Sequence, residues 1–260
     1  MNVFDPFTHL QTVTVVGLGG TGSQVARSLA RMIYDMRRAR LHIPKVVFVD
    51  PDVIEEKNVG RQMFSAGDIG QNKSRVLARR FNQALGLEIE AIDQPLDARR
   101  HIERHGNLVI GCVDNHLARR ELAKVDGIWL DAGNHFDSGQ VCIGNSADRD
   151  TLLRHIDGDQ GKYRYLPSPA LLFPQLLEPE PQPVPQPTLS CADLVARGEQ
   201  HLLINDLVAC VVAGYIYKLL HRQPVTTFVS YVSVDGLSVH SLPICRDELL
   251  QYLGELRIPT

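Results

Sequence analysis

Seven polar residues in the first half of the chain have types and spacing suited to a polyphosphate: Asp50, Asn58, Arg61, Gln62, Lys73, Asp114 and Asn115. Two cations, Arg61 and Lys73, stand twelve residues apart around a loop and a helix start. A polyphosphate needs such neutralisation in the site that holds it. Asp114 is a hard oxygen ligand of the kind that shares Mg²⁺ with phosphates. Asp50 closes an apolar run, where an acid hydrogen-bonds a ribose hydroxyl in dinucleotide-binding folds. Ahead of them runs Val13-Thr14-Val15-Val16-Gly17-Leu18-Gly19-Gly20-Thr21-Gly22, an apolar strand passing through a glycine turn into a helix. Such a turn sets backbone N–H groups and a helix N-terminus against a phosphate. Gly17 permits the tight turn, Gly19 lets the backbone approach the phosphates, and Gly22 lets helix and strand pack closely. Taken alone, the turn does not say which nucleotide.

The elements that must position these residues follow from periodicity. Thr12–Val16 reads as a buried parallel strand, and Val25, Leu29, Met32, Ile33 and Met36 recur at helical spacing after it. Lys45–Asp50 is a second strand, Lys73–Leu85 a helix stopped by Gly86, Leu87–Ile92 a third strand and Asn107–Val113 a fourth. Asp50 lies 28 residues past Gly22 because an arginine-rich helix extension intervenes. Asn115–Lys124 reads as a short helix. Ile128–Leu130 and Gln140–Gly144 read as strands joined by a turn-rich Gly133–Gly139. The alternation predicts an α/β fold: a doubly wound, Rossmann-like, mostly parallel sheet continuing into antiparallel strands. The site residues then fall at the C-terminal ends of strands, where open α/β sheets bind ligands.

The second half differs. Pro167 to Pro187 holds eight of 15 prolines, which predicts an extended crossover with neither helix nor central strand. Composition leaves open whether it is a spacer or covers something bound at the sheet edge. Asn205–Leu220 reads as a helix, Val225–Val234 and Leu237–Leu242 as a hairpin around Asp235-Gly236, and Asp247–Leu256 as an amphipathic helix. The chain divides as one domain: a nucleotide-binding half (1–146), a proline-rich crossover (147–200) and a completing helix and hairpin (201–260).

Bulk properties narrow the class. With 27 basic and 30 acidic residues the net charge is -3, which gives no electrostatic case for nucleic acid or a membrane surface. Arg27, Arg31, Arg37, Arg38 and Arg40 read as a solvated helix face. Five cysteines, none in a CxxC pair, argue against a disulfide framework and a four-cysteine zinc site. Cys112, Cys142 and Cys210 read as core thiols. Neither a signal peptide nor a membrane-length apolar run is read, so the expected compartment is a reducing cytoplasm.

GxGGxG, the acid at a strand end, N-x-x-R-Q, D-I-G-x-x-K (Asp68-Ile69-Gly70, Lys73) and Asp114-Asn115 with Ala118-Arg119 together resemble the ThiF/MoeB/ubiquitin-activating superfamily. Trp129-Leu130-Asp131-Ala132-Gly133 and Ser138-Gly139-Gln140-Val141 resemble its following strands. The likeness covers Thr12–Gly144 closely and resumes at Ser190-Cys191 and the helix from Asn205. The short chain with its proline-rich crossover is most similar to ThiF-related proteins of the PRTRC cassette. The resemblance implies adenylation, by ATP and Mg²⁺, of the C-terminal glycine carboxylate of a ubiquitin-like or sulfur-carrier-like protein, by a homodimer. It implies that Gly17, Gly19, Gly20 and Gly22 cradle ATP and that Asp50 holds the ribose. Asn58, Arg61 and Lys73 would contact phosphates beside Gln62 and Asn115, and Asp114 would bind Mg²⁺. Cys191 occupies the place where many members carry a thiol that accepts the acyl group.

Each role has a plainer alternative. Asp50 could cap the turn after its strand, Arg61 and Lys73 could be surface charges, Asp114 could be a helix N-cap, and Cys191 could be incidental. Two departures stand out. No arginine precedes Arg27, so the arginine that homodimeric relatives supply in trans is absent or replaced, with His9 a candidate. The two CxxC pairs of a structural zinc site are missing, so zinc is not expected. A nucleotide-binding scaffold without activity and an NAD-dependent oxidoreductase are the other readings. The oxidoreductase leaves Arg61, Lys73 and Asp114 unexplained.

Overall fold

Thr12–Val16 is buried at every residue, so this strand must be covered on both faces. The computed structural model, which describes residues 1–6, 9–103, 105–179 and 203–254, places it as β2 in the middle of an eight-stranded sheet. In chain order the strands are β1 (Val3–Phe4), β2, β3 (Lys45–Val49), β4 (Glu90–Ile92), β5 (Asn107–Gly111), β6 (Ile128–Asn134), β7 (Ser138–Gly144), β8 (Lys162–Tyr163), β9 (Thr227–Ser233) and β10 (Ser238–Pro243). The large sheet runs β10-β9-β7-β6-β5-β2-β3-β4. β4, β3, β2, β5 and β6 pair in parallel, while β7, β9 and β10 continue antiparallel. Strand order reverses between β2 and β5, which makes the carboxyl end of β2 a topological switch point. The doubly wound, mostly parallel fold with antiparallel strands is as the alternation predicts. β1 and β8 form a separate parallel pair that the sequence reading did not contain.

Helices cover both faces. α1 (Gly20–Arg38), α2 (Lys73–Leu85) and α7 (Ile204–Leu220) share one apolar core with Val13, Val15, Phe48 and Ile143. A smaller core of Val16, Val47, Val109, Leu122 and Trp129 lies on the other face, which α4 (His116–Leu122) covers. The short helices are α3 (Ala98–His101), α5 (Arg149–Arg154), α6 (Pro169–Leu172) and α8 (Arg246–Tyr252).

Four expectations are corrected. The described part of Pro167–Pro187, up to residue 179, contains helix: α6 and a 3₁₀ turn, Pro174–Leu177, each begin on a proline, while residues 180–187 lie outside the described residues. The first helical residue needs no intrahelical N–H partner, so proline starts a helix as readily as it breaks one. The turn-rich Gly133–Gly139 is mostly strand, because β6 and β7 pair as far as Asn134 and Gly139. A side chain on Gly139 would meet Val208 of α7 at 2.4 Å, so glycine here serves close packing within a strand. Cys210 is exposed on α7, whereas Cys142 is buried in the core and Cys112 packs against it. The third strand is shorter than its apolar run, since Gly86 takes φ +64° to end α2 before β4 begins.

Candidate active site

The glycine turn is built by contacts that the structure makes explicit. Gly17 has φ +81°, and a Cβ there would lie 2.6 Å from the Cys112 carbonyl oxygen. A Cβ on Gly22 would lie 1.8 Å from the Gly17 carbonyl oxygen, and one on Gly20 would strike the Asn205 amide at 2.6 Å. Gly19 differs: its nearest neighbour would be Gln62 Nε2 at 3.9 Å. Three glycines therefore serve the protein's own packing, and Gly19 leaves open space. The first turn of α1 has no acidic residue and no side-chain cap, so its free N–H groups and positive dipole end remain available to an anion.

Asp50 fixes this turn. It is 3% exposed, and its carboxylate accepts hydrogen bonds from the Leu18 N–H at 2.5 Å and the Asp52 N–H at 2.8 Å. Burial pushes its carboxyl above the ordinary range, against the pull of those N–H groups and of Lys73. The capping role is therefore present in the structure.

Lys73 begins α2 and is 7% exposed. A helix N-terminus disfavours a cation. Asp52 offsets that cost, with its carboxylate 2.8 Å from Nζ and its carbonyl accepting the Lys73 N–H at 3.0 Å. The neighbouring Asn72 caps α2 and donates to the Asp50 and Asp52 carbonyls. The end of β3 and the start of α2 are thus tied into one unit.

The loop between them is ordered by its polar residues. Asn58 is buried, and its side chain accepts from the Glu55 N–H at 2.9 Å. Asp68 accepts from the Ser65 N–H and hydroxyl, both at 2.8 Å, and from Arg80 at 2.5 Å. Burial opposes its charge, but these donors prevail and hold the Asp68 carboxyl below the usual range.

Gly17, Gly19, Gly20, Asp50, Gln62, Lys73, Asp114 and Asn115 line one cleft of about 1780 Å³. Asn58 and Arg61 do not line it; Asn58 lies inside the loop and Arg61 is exposed. Gly22 sits behind the turn. Asp114 is exposed at the cleft, and Asn115 is the N-cap of α4, accepting from the Ala118 N–H at 2.9 Å. The alternative role of Asp114 as N-cap thus falls to its neighbour. His9 lies elsewhere, beside His42 and Arg222. Cys191 lies outside the described residues. A separate open depression beside Asp148 and Arg154 contains none of these groups.

The sequence profile of the ThiF family matches residues 9–248. The chain belongs to the ThiF family. It is 27% identical over 141 residues to a ubiquitin-like modifier-activating enzyme 5 of Dictyostelium discoideum, a match that covers 47% of this chain and 35% of that protein. Among solved structures it is similar to E. coli MccB with AMPCPP and MccA, at a TM-score of 0.55 and 17% identity, covering 91% of this chain and 64% of that one. MccB with ATP gives a TM-score of 0.53, with the same identity and coverage. The chain thus spans about a third of the curated relative and less than two thirds of the MccB chains.

On this ThiF-family fold the cleft has a second wall that the sequence reading did not assign. Thr21, Asn134 and Asn205 meet there: Asn205 Oδ1 accepts from Thr21 Oγ1 at 3.0 Å and from Asn134 Nδ2 at 2.7 Å. Arg119 and Asp131 form a buried pair, with Nε 3.5 Å from Oδ2 and side-chain exposures of 10% and 1%. Burial raises the Asp131 carboxyl to about 6, despite Arg119 beside it. It also pushes the Cys112 thiol up, and the Asp131 charge adds to the shift. The paired residues are 12 to 184 positions apart in the chain; Arg119 and Asp131 stand in motifs quoted above, but no spacing in the sequence pairs them.

Among the described residues no helix is long and apolar enough to cross a membrane. No group of three or more His, Cys, Asp or Glu residues among them could hold a metal ion.

Proposed function

We propose that this protein is an adenylyltransferase that uses ATP to activate the C-terminal glycine carboxylate of a ubiquitin-like or other small carrier protein. The observation that carries the reading is a single cleft joining an uncapped glycine turn, the buried Lys73 ammonium and the Asp114 carboxylate. The ThiF family, the ubiquitin-like modifier-activating relative and the MccB structures with nucleotide and MccA support it.

A carboxylate is ionised at pH 7, so no general base is needed. The difficulty is to bring an anion to a polyanion, and the remedy is positioning with positive charge. A carboxylate oxygen attacks the α-phosphorus and forms the acyl-phosphate O–P bond. The bond from that phosphorus to the bridging oxygen breaks, and pyrophosphate leaves with the electron pair. Gly19 and the first turn of α1 hold phosphate oxygens through backbone N–H groups, and Lys73 neutralises them. Asp50 keeps the turn in place and lies where the ribose would sit. Arg61 and Asn58 contribute only if the loop carrying them moves towards the cleft.

Mg²⁺ would be held by Asp114 together with the nucleotide's phosphates, an arrangement that suits a cation bound through one or two carboxylates plus substrate oxygens. It would neutralise phosphate charge. In this reading the Cys191 sulfur, its proton lost to solvent, then attacks the acyl carbonyl carbon; the carbon–oxygen bond to AMP breaks, AMP leaves with the electron pair, and a thioester remains. The protein works as a homodimer in the cytoplasm, and the chain is of the PRTRC type.

ATP–pyrophosphate exchange tests the core of the reading. Exchange is expected only with a carrier ending in a free glycine carboxylate, and Asp114→Ala abolishes it. Nucleotide binding with no exchange under any carrier would instead make the protein an inactive scaffold. Mass spectrometry after incubation with ATP and carrier reads the acyl adduct on Cys191, and Cys191→Ser removes it.

A further inference from the structure

The role of Arg119 is unassigned, and its surroundings are unusual. It lies in α4, four residues after Asn115, and its side chain is nine-tenths buried yet lines the cleft. Among the described residues its ionic partner is Asp131, and although Arg119 and Trp129 both draw the Asp131 carboxyl down, the Nε–Oδ2 contact is long at 3.5 Å and Nε has no well-formed hydrogen bond. An arginine placed to satisfy a buried carboxylate would meet it with two parallel N–H···O bonds. At the far end of the guanidinium, Nη2 would be 3.5 Å from a Cβ on residue 133, and that residue is glycine. That end of the fork therefore lies against the β6 backbone at Gly133, and both residues line the cleft.

We propose that Arg119 binds the carboxylate of the acyl substrate, holding it beside the nucleotide for attack. The inference rests on the adenylation reading above and names the residue that receives its second substrate. Three arguments favour a carboxylate over a phosphate. The planar fork matches a carboxylate in a bidentate way. With Asp131 beside it the pair carries little net charge at neutral pH, which suits orienting one monoanion and adds little to neutralising a polyanion. A carboxylate held by such a balanced pair keeps its nucleophilicity, whereas a lone buried cation would stabilise its ground state. Arg119 also lies against β6, with β5 and β2 between that strand and β3, whose end is tied to Lys73.

The test uses the full chain loaded with Mg²⁺ and α,β-methylene ATP, which cannot release pyrophosphate. Two probes are titrated by calorimetry: a short peptide ending in Gly-Gly with a free carboxylate, and the same peptide as its C-terminal amide. The wild type is expected to prefer the acid by about tenfold or more, the range of a charge-assisted hydrogen bond. Arg119→Gln strands the buried Asp131 and can fail to fold, so the deciding variant is R119Q/D131N, which removes both charges. It is expected to melt near the wild type, to bind the nucleotide within about threefold of it, and to bind acid and amide alike. R119K keeps a charge without the fork and retains part of the preference. A double variant that still prefers the acid overturns the proposal and leaves Arg119 a structural partner of Asp131. A double variant that loses the nucleotide overturns it in favour of phosphate binding. Equal binding of acid and amide by the wild type, with pyrophosphate exchange intact, overturns this inference alone. Absence of exchange overturns the adenylation reading beneath it.

Discussion

The wall of the cleft formed by β2, β3 and α2 and the wall formed by α4, β6, β7 and α7 face the same space, yet their polar groups are fixed differently. On the first wall nearly every group is held by backbone close in sequence or on the adjacent strand end. Asp50 accepts from Leu18 and Asp52, Asn72 caps α2, and Asp68 closes its own turn. On the second wall side chains hold side chains across long stretches of chain, as in Thr21–Asn205 and Arg119–Asp131. Backbone partners are always present and always polar, so the first wall is stable to changes of neighbouring side chains. The second wall depends on pairs, and losing one member strands the other.

The largest effect belongs to the first wall. Gly22→Ala places a methyl 1.8 Å from the Gly17 carbonyl oxygen, and no side chain can move to relieve it. The expected loss of stability exceeds about 3 kcal/mol, beyond usual overpacking. Gly19→Ala meets open space, so it should cost under about 1 kcal/mol while blocking phosphate approach. Urea denaturation beside nucleotide titration separates them. Equal destabilisation would remove the distinction between glycines that serve packing and the one that serves a ligand.

The second wall should give the next effect, through pH. The Asp131 carboxyl is raised by burial from 3.8 to about 6, so the folded protein holds this proton where the unfolded chain has lost it. On this group's account stability is greatest below about pH 4, falls as pH rises towards 6, and is level above. The fall is up to about 3 kcal/mol. Asp50 is shifted in the same direction. Asp68, held low, acts oppositely and loses its contribution as pH falls through its folded value. Comparing melting curves of the wild type and R119Q/D131N from pH 4 to 7 isolates Asp131. The wild type should lose stability relative to the double variant over that range, and parallel profiles would show that Asp131 does not titrate there.

The same contrast explains what could be read from the sequence. Glycine spacing, a terminal acid and helix-cap residues act through local backbone geometry, so the glycine turn, Asp50 and the start of α2 were legible. The parallel half of the sheet was legible from its β-branched runs. Asn205 was read only as the first residue of a helix, because its role depends on Gly20, Thr21 and Asn134, which no periodicity brings together. Asp131 was quoted as part of a motif, but its burial against Arg119 appears only once β6 is seen to run through to Asn134. Asn58 and Arg61 show the converse: their spacing was legible, while the fold keeps one inside its loop and the other on the surface.

Gly20 and Asn205 join the two walls and offer a smaller, sharper test. Gly20→Ala should cost about 1–3 kcal/mol, since its methyl strikes the Asn205 amide. Asn205→Ala should cost about 1–2 kcal/mol by releasing Thr21 and Asn134. Together they should cost less than their sum, because the second change vacates the space that the first requires. Additive costs in a double-mutant cycle would mean that α1 and α7 are not coupled at this contact.

The smallest effect concerns Asp52, whose side chain is 63% exposed while that of its partner Lys73 is 8% exposed. An ion pair open to solvent on one side contributes little, so Asp52→Asn should change stability by under about 1 kcal/mol. Its effect on the nucleotide should have the opposite sign to a simple loss. Asp52 holds Lys73 at the cleft, but it also competes with any phosphate for the same ammonium. Removing its charge frees that ammonium, so ATP affinity should hold or rise slightly at low salt, and the gain should fade as salt screens it. If positioning outweighs competition, affinity falls while charge neutralisation improves, and the salt dependence reverses. Titrations of ATP at two ionic strengths distinguish the cases. A marked loss of stability would show that Lys73 relies on this side chain as the second wall relies on its pairs, and would erase the difference between the walls at this residue.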